Sequence, residues 1–151
     1  MRINGQCHCG KIELEGTVDE ANVMVCHWVD CQVFRAPLQR AVVFCKAQDF
    51  KIKGKDWAKE YIKTTAESGN KRIQAFCGEC GSQLYGCDLD RGGYNVRIGC
   101  LNQHDSLSPV KHIFGTSAQK WVHNLDGCPW FKRGSNSETM WHRQETICKN
   151  L

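Results

Sequence analysis

The heptapeptide FCGECGS, Phe76 to Ser82, and the hexapeptide GQCHCG, Gly5 to Gly10, each carry two cysteines that run straight into glycine. A C-x-x-C step closed by glycine makes a tight knuckle in which backbone N–H groups can point at sulfur. Zinc takes four ligands tetrahedrally, and two short pairs, C-x-C and C-x-x-C, at the turns of separate hairpins supply all four as thiolates, leaving no open position. A closed site of this kind is structural and adds folding energy to a small β domain. Cys7, Cys9, Cys77 and Cys80 are therefore expected to hold one structural zinc. The alternative, four buried apolar thiols, suits scattered cysteines better than these paired ones.

The remaining composition agrees with that reading. At 151 residues, 41% of them hydrophobic, the chain holds one domain with a real core. Twenty basic residues against sixteen acidic ones give a net charge of +4, scattered rather than massed, so charge makes no case for nucleic acid. The N-terminal MRINGQCHCG has no apolar run resembling a signal peptide, and the longest apolar runs are too short to span a bilayer. The expectation is a cytoplasmic protein with reduced thiols and no membrane segment. Eleven cysteines is an odd count, which fits metal binding better than a disulfide framework.

KIELEGTV alternates apolar and charged residues with the period of a half-buried strand. ANVMVC, RAVVFC, FKIKG, EYIKTT, RIQAFC, SQLYGCDL, YNVRIGCL and KHIFGT follow, separated by Gly, Asn, Asp or Ser. About nine strands at near-regular spacing predict an all-β fold, a single compact domain of antiparallel strands over residues 1–130. KDWAKEY allows one or two helical turns. Residues 131–151 read as a C-terminal tail that either ends in a short docked helix or stays mobile.

With these motifs in place, the chain resembles the glutathione-dependent formaldehyde-activating enzymes and their centromere-protein-V relatives. The family pattern is G-x-C-x-C-G, C-H-C-x-x-C, F-C-x-x-C-G-S, G-x-L-[DN], P-x-x-H-[IV] and a following tryptophan. Here these are GQCHCG, CHWVDC (Cys26–Cys31), FCGECGS, GCLN, PVKHI and Trp121, in order from Gly5 to Trp121. The resemblance implies a β-tent fold with zinc-clasped hairpins and a structural zinc on Cys7, Cys9, Cys77 and Cys80. It also implies a second zinc on the trio of C-H-C-x-x-C, open to a substrate thiol such as glutathione, and a carbon–sulfur lyase activity on glutathione–formaldehyde adducts.

The trio is where this chain departs, because its middle cysteine is Trp28, and an indole N–H only donates. One reading keeps a weak second zinc on Cys26 and Cys31, completed by His27, Asp30, another cysteine brought near by the fold, or a substrate. The other makes them thiols lining a cleft, with Trp28 filling the place of the metal. Trp28 and His112 are the candidate cleft residues, although Trp28 and Trp121 also suit a core and His112 a hydrogen-bonded structural role. Cys45, Cys87, Cys100, Cys128 and Cys148 read as small hydrophobes. Arg35, Arg97 and Lys111 either attract an anionic peptide or are solvated surface. Two functions follow: a zinc lyase, or a non-catalytic zinc-stabilised module binding glutathione, another small thiol, a peptide or a protein. A nucleic-acid role lacks a basic patch.

Overall fold

The computed structural model describes residues 1–35, 40–64 and 69–141, and the chain divides into two units, Met1–Ser117 and Ala118–Leu151. In the first unit the chain runs through β1 (Arg2–Gln6), β2 (Glu13–Thr17), β3 (Val23–Cys26), helix α1 (Val29–Arg35), β4 (Arg40–Lys46) and β5 (Phe50–Lys53). It continues through β6 (Ala58–Lys63), β7 (Arg72–Cys77), β8 (Gln83–Asp88), β9 (Gly93–Arg97) and β10 (Lys111–Ile113). The expected all-β class is what the strands make.

Three local features differ from the sequence reading. Arg2–Gln6 is a strand whose inward positions are Ile3 and Gly5, and the glycine hides its period. A Cβ at Gly5 would meet the Cys100 carbonyl oxygen at 1.9 Å, so only glycine allows the bridge from this strand to Leu101. KDWAKEY is a single 3-10 turn over Lys55–Trp57 that passes directly into β6. From Val29, inside the CHWVDC segment, the chain makes the seven-residue helix α1 (Val29–Arg35), too short to show a helical period.

β1, β2 and β5 form a three-stranded sheet, and β10-β3-β4-β9-β8-β7-β6 a seven-stranded one. Every pairing is antiparallel except β10 with β3, which is parallel. That last strand returns after a long connection, so the expected antiparallel pattern fails at this edge.

The large sheet has two unlike faces, as the two-residue period of a strand requires. Val23, Val43, Val96, Tyr85 and Ile73 point into the core, where they meet Ile3, Leu14 and Phe50. Phe50 packs edge-on against Tyr85 at 6.1 Å and lies 4.8 Å from Tyr94, joining the two sheets through aromatic contact. The opposite face carries Cys26, Arg40, Val42, Arg97, Asn95, Gly86, Gln74, Arg72 and Lys63, as the register dictates: Cys26 pairs with Arg40, Val42 with Arg97, and Gln74 with Gly86 and then Asn95. This polar row is the floor of the cleft described below.

The second unit holds a 3-10 helix, Lys120–Gly127, and an antiparallel hairpin of β11 (Trp130–Phe131) with β12 (Thr139–Trp141). The described part of the 131–151 tail thus belongs to a hairpin; a helix at its end would fall outside the described residues, as does Cys148. Among the described residues no helix is long and apolar enough to cross a membrane.

Candidate functional site

The two knuckles lie at the β1–β2 and β7–β8 turns. Gly10 and Gly81 close them at φ +77° and +72°, where a side chain would strain the backbone. Each glycine donates its N–H to the carbonyl of the first cysteine, Cys7 or Cys77. The Ile12 N–H points at Cys7 Sγ, 3.3 Å away. His8 N donates to Ser82 Oγ at 3.0 Å and Lys11 pairs with Glu79 at 2.9 Å, so the turns are joined across the gap between the sheets.

The sulfurs of Cys7, Cys9, Cys77 and Cys80 all lie within 4.8 Å of one another, and the cluster could hold a metal ion. Cys7–Cys9 is 3.5 Å and Cys9–Cys77 is 3.7 Å. Their proton affinities diverge. Burial resists ionisation of Cys7, but the Ile12 N–H and the Cys9 and Cys77 thiols outweigh it and hold Cys7 low. Ser82 draws Cys80 down to about 5. The Lys11 N–H favours a Cys9 thiolate, yet desolvation and the neighbouring sulfurs prevail and push it up to about 12.

On the other face of the large sheet, Cys26 at the end of β3 donates to Cys31 in α1, with sulfurs 3.5 Å apart. Arg40, opposite Cys26 in the register, sends Nη1 to Cys31 Sγ at 2.9 Å. The Cys26 thiol is the largest influence lowering Cys31. Burial opposes it, the Arg40 charge and hydrogen bond assist, and Cys31 settles at about 5 while Cys26 is pushed up. Both thiols line a cavity of ≈ 270 Å³ together with Trp28, Arg40, Lys63, Arg72, Gln74 and Phe114. No carboxylate is among the described lining residues. Gly86 keeps the floor low, since a Cβ there would come within 3.0 Å of Arg40 Nη2.

Trp28 walls this cavity. Its ring stacks on Phe114 at 5.4 Å, and Lys63 Nζ sits 3.1 Å from the ring centroid. Phe114 has φ +57°, a left-handed conformation that a non-glycine residue adopts at a cost and that clusters at functional sites. Lys63 is 3% exposed, and a buried ammonium needs a partner; it pairs with Asp30 at 2.9 Å.

The structure brings Cys26, Cys31 and Trp28 together but not His112. That residue stacks on His27, with Nδ1 2.8 Å from His27 Nε2, and it is not among the cavity's lining residues. His27 and Asp30 are each engaged away from the two sulfurs, and no third His, Cys, Asp or Glu joins Cys26 and Cys31 among the described residues. Arg97 is not solvated surface: it is 6% exposed and donates to Gln74 at 3.2 Å. Lys111 is exposed, and the Arg35 side chain lies outside the described residues. Cys45 and Cys87 are core residues, Cys100 donates to the Gln83 carbonyl at 2.9 Å, and Cys128 is exposed rather than packed. Trp121 is exposed in the second unit.

Sequence reasoning named neither Arg40 nor Lys63. The signal for Arg40 was its place in phase with Val42 and Phe44 in RAVVFC, opposite the half-strand ending at Cys26.

A comparison with curated proteins finds no match. The crystal structure of a Rhodobacter sphaeroides protein is similar in fold, with a TM-score of 0.57 at 21% identity, covering 72% of this chain and 98% of that one. Residues 2–117 match the family described as glutathione-dependent formaldehyde-activating enzyme. That span includes both knuckles and every residue of the Cys26–Cys31 cleft, and on it the chain belongs to the glutathione-dependent formaldehyde-activating enzyme family.

Proposed function

We propose that this protein is a zinc-stabilised β domain whose Cys26–Cys31 cleft binds a small anionic thiol of the glutathione type, and that the cleft itself does not take a second zinc. The knuckle cluster suits zinc. For Zn–S bonds near ~2.3 Å, the edges of a tetrahedron are about 3.8 Å, and the sulfur separations of 3.5 and 3.7 Å are close to that. Bound there by Cys7, Cys9, Cys77 and Cys80, zinc would tie the two sheets together and relieve the repulsion among four thiolates.

The cleft does not suit zinc. It offers two sulfurs, whereas catalytic sites ordinarily use three protein ligands. The side chains nearest in sequence that could complete a set, His27 and Asp30, are bonded to His112 and Lys63. The observation that carries the proposal is the guanidinium of Arg40 donating to Cys31 at 2.9 Å: a fixed cation already compensates the sulfur that a metal would need. Arg40, Lys63 and Arg72 face the cavity, while Asp30 and Asp88, which pair with Lys63 and Arg72 at 2.9 and 2.8 Å, lie outside its lining. Cationic donors rather than acceptors therefore meet an anionic guest, and the Trp28–Phe114 stack supplies an apolar wall. Thiols kept free in this way belong in a reducing compartment such as the cytoplasm.

The test is calorimetric titration of glutathione into the purified protein, with and without added zinc, alongside an assay of hemithioacetal formation from formaldehyde. Binding that is independent of added zinc and unaccompanied by turnover supports the proposal. Zinc-dependent turnover lost on Cys31→Ser would establish the lyase reading in its place, and absence of binding would refute the thiol-binding cleft.

A further inference from the structure

The pairing of Cys26 with Cys31 has a chemistry of its own. We propose that these two residues form a dithiol–disulfide couple that exchanges with low-molecular-weight disulfides entering the cleft, Cys31 attacking and Cys26 resolving. The substrate side of this inference rests on the reading of the cleft as a thiol site.

Four observations converge on it. The sulfurs are 3.5 Å apart, so closing to a bond of ~2.05 Å needs a movement of only about 1.5 Å. Both line a cavity rather than the core, unlike Cys45 and Cys87. The roles are unequal: Arg40 bonds to Cys31, while Cys26 donates its S–H to that same sulfur, which marks Cys31 as the nucleophile. The two lie on either side of a short connection between the end of β3 and α1, so the bond can form without separating any strands.

The exchange balances as follows. The Cys31 thiolate attacks one sulfur of R–S–S–R, forming Cys31–S–S–R and releasing R–S⁻, which takes up a proton. Cys26 then gives up its proton and attacks Cys31 Sγ, forming the Cys26–Cys31 disulfide and releasing the second R–S⁻. Counting the proton already released when Cys31 ionised, the protein loses two electrons and two protons, both released R–S⁻ groups take up protons from solvent, and the external disulfide is reduced to two thiols. A thiol pair running the steps backwards restores the dithiol.

A tryptic peptide provides the readout, because Ile12–Arg35 contains Cys26 and Cys31 and no other cysteine. The zinc-loaded full chain is equilibrated with graded mixtures of glutathione and its disulfide, and separately with uncharged 2-hydroxyethyl disulfide, then alkylated and digested. The expected result is a peptide that reversibly loses two hydrogens. Cys26→Ser should trap one glutathione on Cys31, while Cys31→Ser should capture it on Cys26 at least about tenfold more slowly. The wild-type measurement stands even if a variant fails to fold. Oxidation by the uncharged disulfide but not by glutathione disulfide would support the couple and refute the anionic-thiol reading of the cleft. A peptide that stays doubly alkylated under both oxidants, in a protein that binds glutathione, would overturn the couple and leave that reading standing. Equal capture by the two serine variants would also overturn the assignment of roles.

Discussion

Arg40 Nη1 meets Cys31 Sγ at 2.9 Å from the β4 position paired with Cys26. One strand register thus delivers a cation to the sulfur that a helix has brought against the end of β3. The positive charge that a metal would supply to a thiolate comes here from the chain itself, and Trp28 walls the cavity beside it.

Replacing Arg40 should therefore change how Cys31 titrates. Cys31 is held at about 5, against an ordinary thiol value of 9.0. Since the native value lies below the unfolded one, the stabilisation by this thiolate is complete above the ordinary value and is lost as the pH falls through about 5. Alkylation of Cys31 by iodoacetamide, followed on the Ile12–Arg35 peptide, should rise with pH to about 5–6 and then level off. In Arg40→Gln the rise should move toward the ordinary thiol range, with roughly tenfold slower reaction at pH 6.

Gly86 matters for the same guanidinium. The Cβ of Gly86→Ala would lie 3.0 Å from Arg40 Nη2 and 3.1 Å from Gln74 Nε2. Both are ends of flexible side chains, so the fold should lose no more than about 1 kcal/mol. Arg40 should be displaced nonetheless. Thermal unfolding close to wild type together with weakened glutathione binding is the expected combination.

A separate hydrogen-bonded group supports the core. Tyr85, fully buried, donates its hydroxyl to Glu60 Oε1 at 3.1 Å, and Arg91 grips the same carboxylate at 2.9 and 2.7 Å. Glu60→Ala strands the hydroxyl and should cost about 1–3 kcal/mol in urea unfolding, whereas Glu60→Gln, which keeps an acceptor, should cost less. Arg91 first, with help from the Tyr85 hydroxyl, holds the Glu60 carboxyl below its usual 4.5 against the pull of burial. Its contribution is therefore present above that pH and is lost as acid takes the pH through the native value.

The knuckles were legible because their chemistry is local: C-x-C-G and C-x-x-C-G fix turn, ligand spacing and glycine conformation within a few residues. Most strands were legible from their alternation. The Arg40–Cys31 contact was not, because it depends on which strand lies beside β3 and in what register, and neither is written in the local pattern. The same holds for Lys63, which comes from β6 at the far edge of the sheet and reaches Asp30 and Trp28 only after the sheet has formed. The parallel return of β10 was hidden for the same reason, and α1 because seven residues, Val29–Arg35, are too few to show a helical period.

Trp28 itself can be tested in the opposite direction. Trp28→Cys restores three cysteines at the C-H-C-x-x-C spacing in a cavity that Cys26 and Cys31 already line. Zinc content of the purified variant should rise by up to about one ion per chain over wild type, and the added ion should be lost first on chelation.

Metal analysis of the wild-type chain, purified reduced and without added zinc, bears most directly on the whole account. About one zinc per chain is predicted, retained in Cys31→Ser and lost in Cys77→Ser with loss of the folded domain. Two zinc ions per chain, one of them lost in Cys31→Ser, would contradict it.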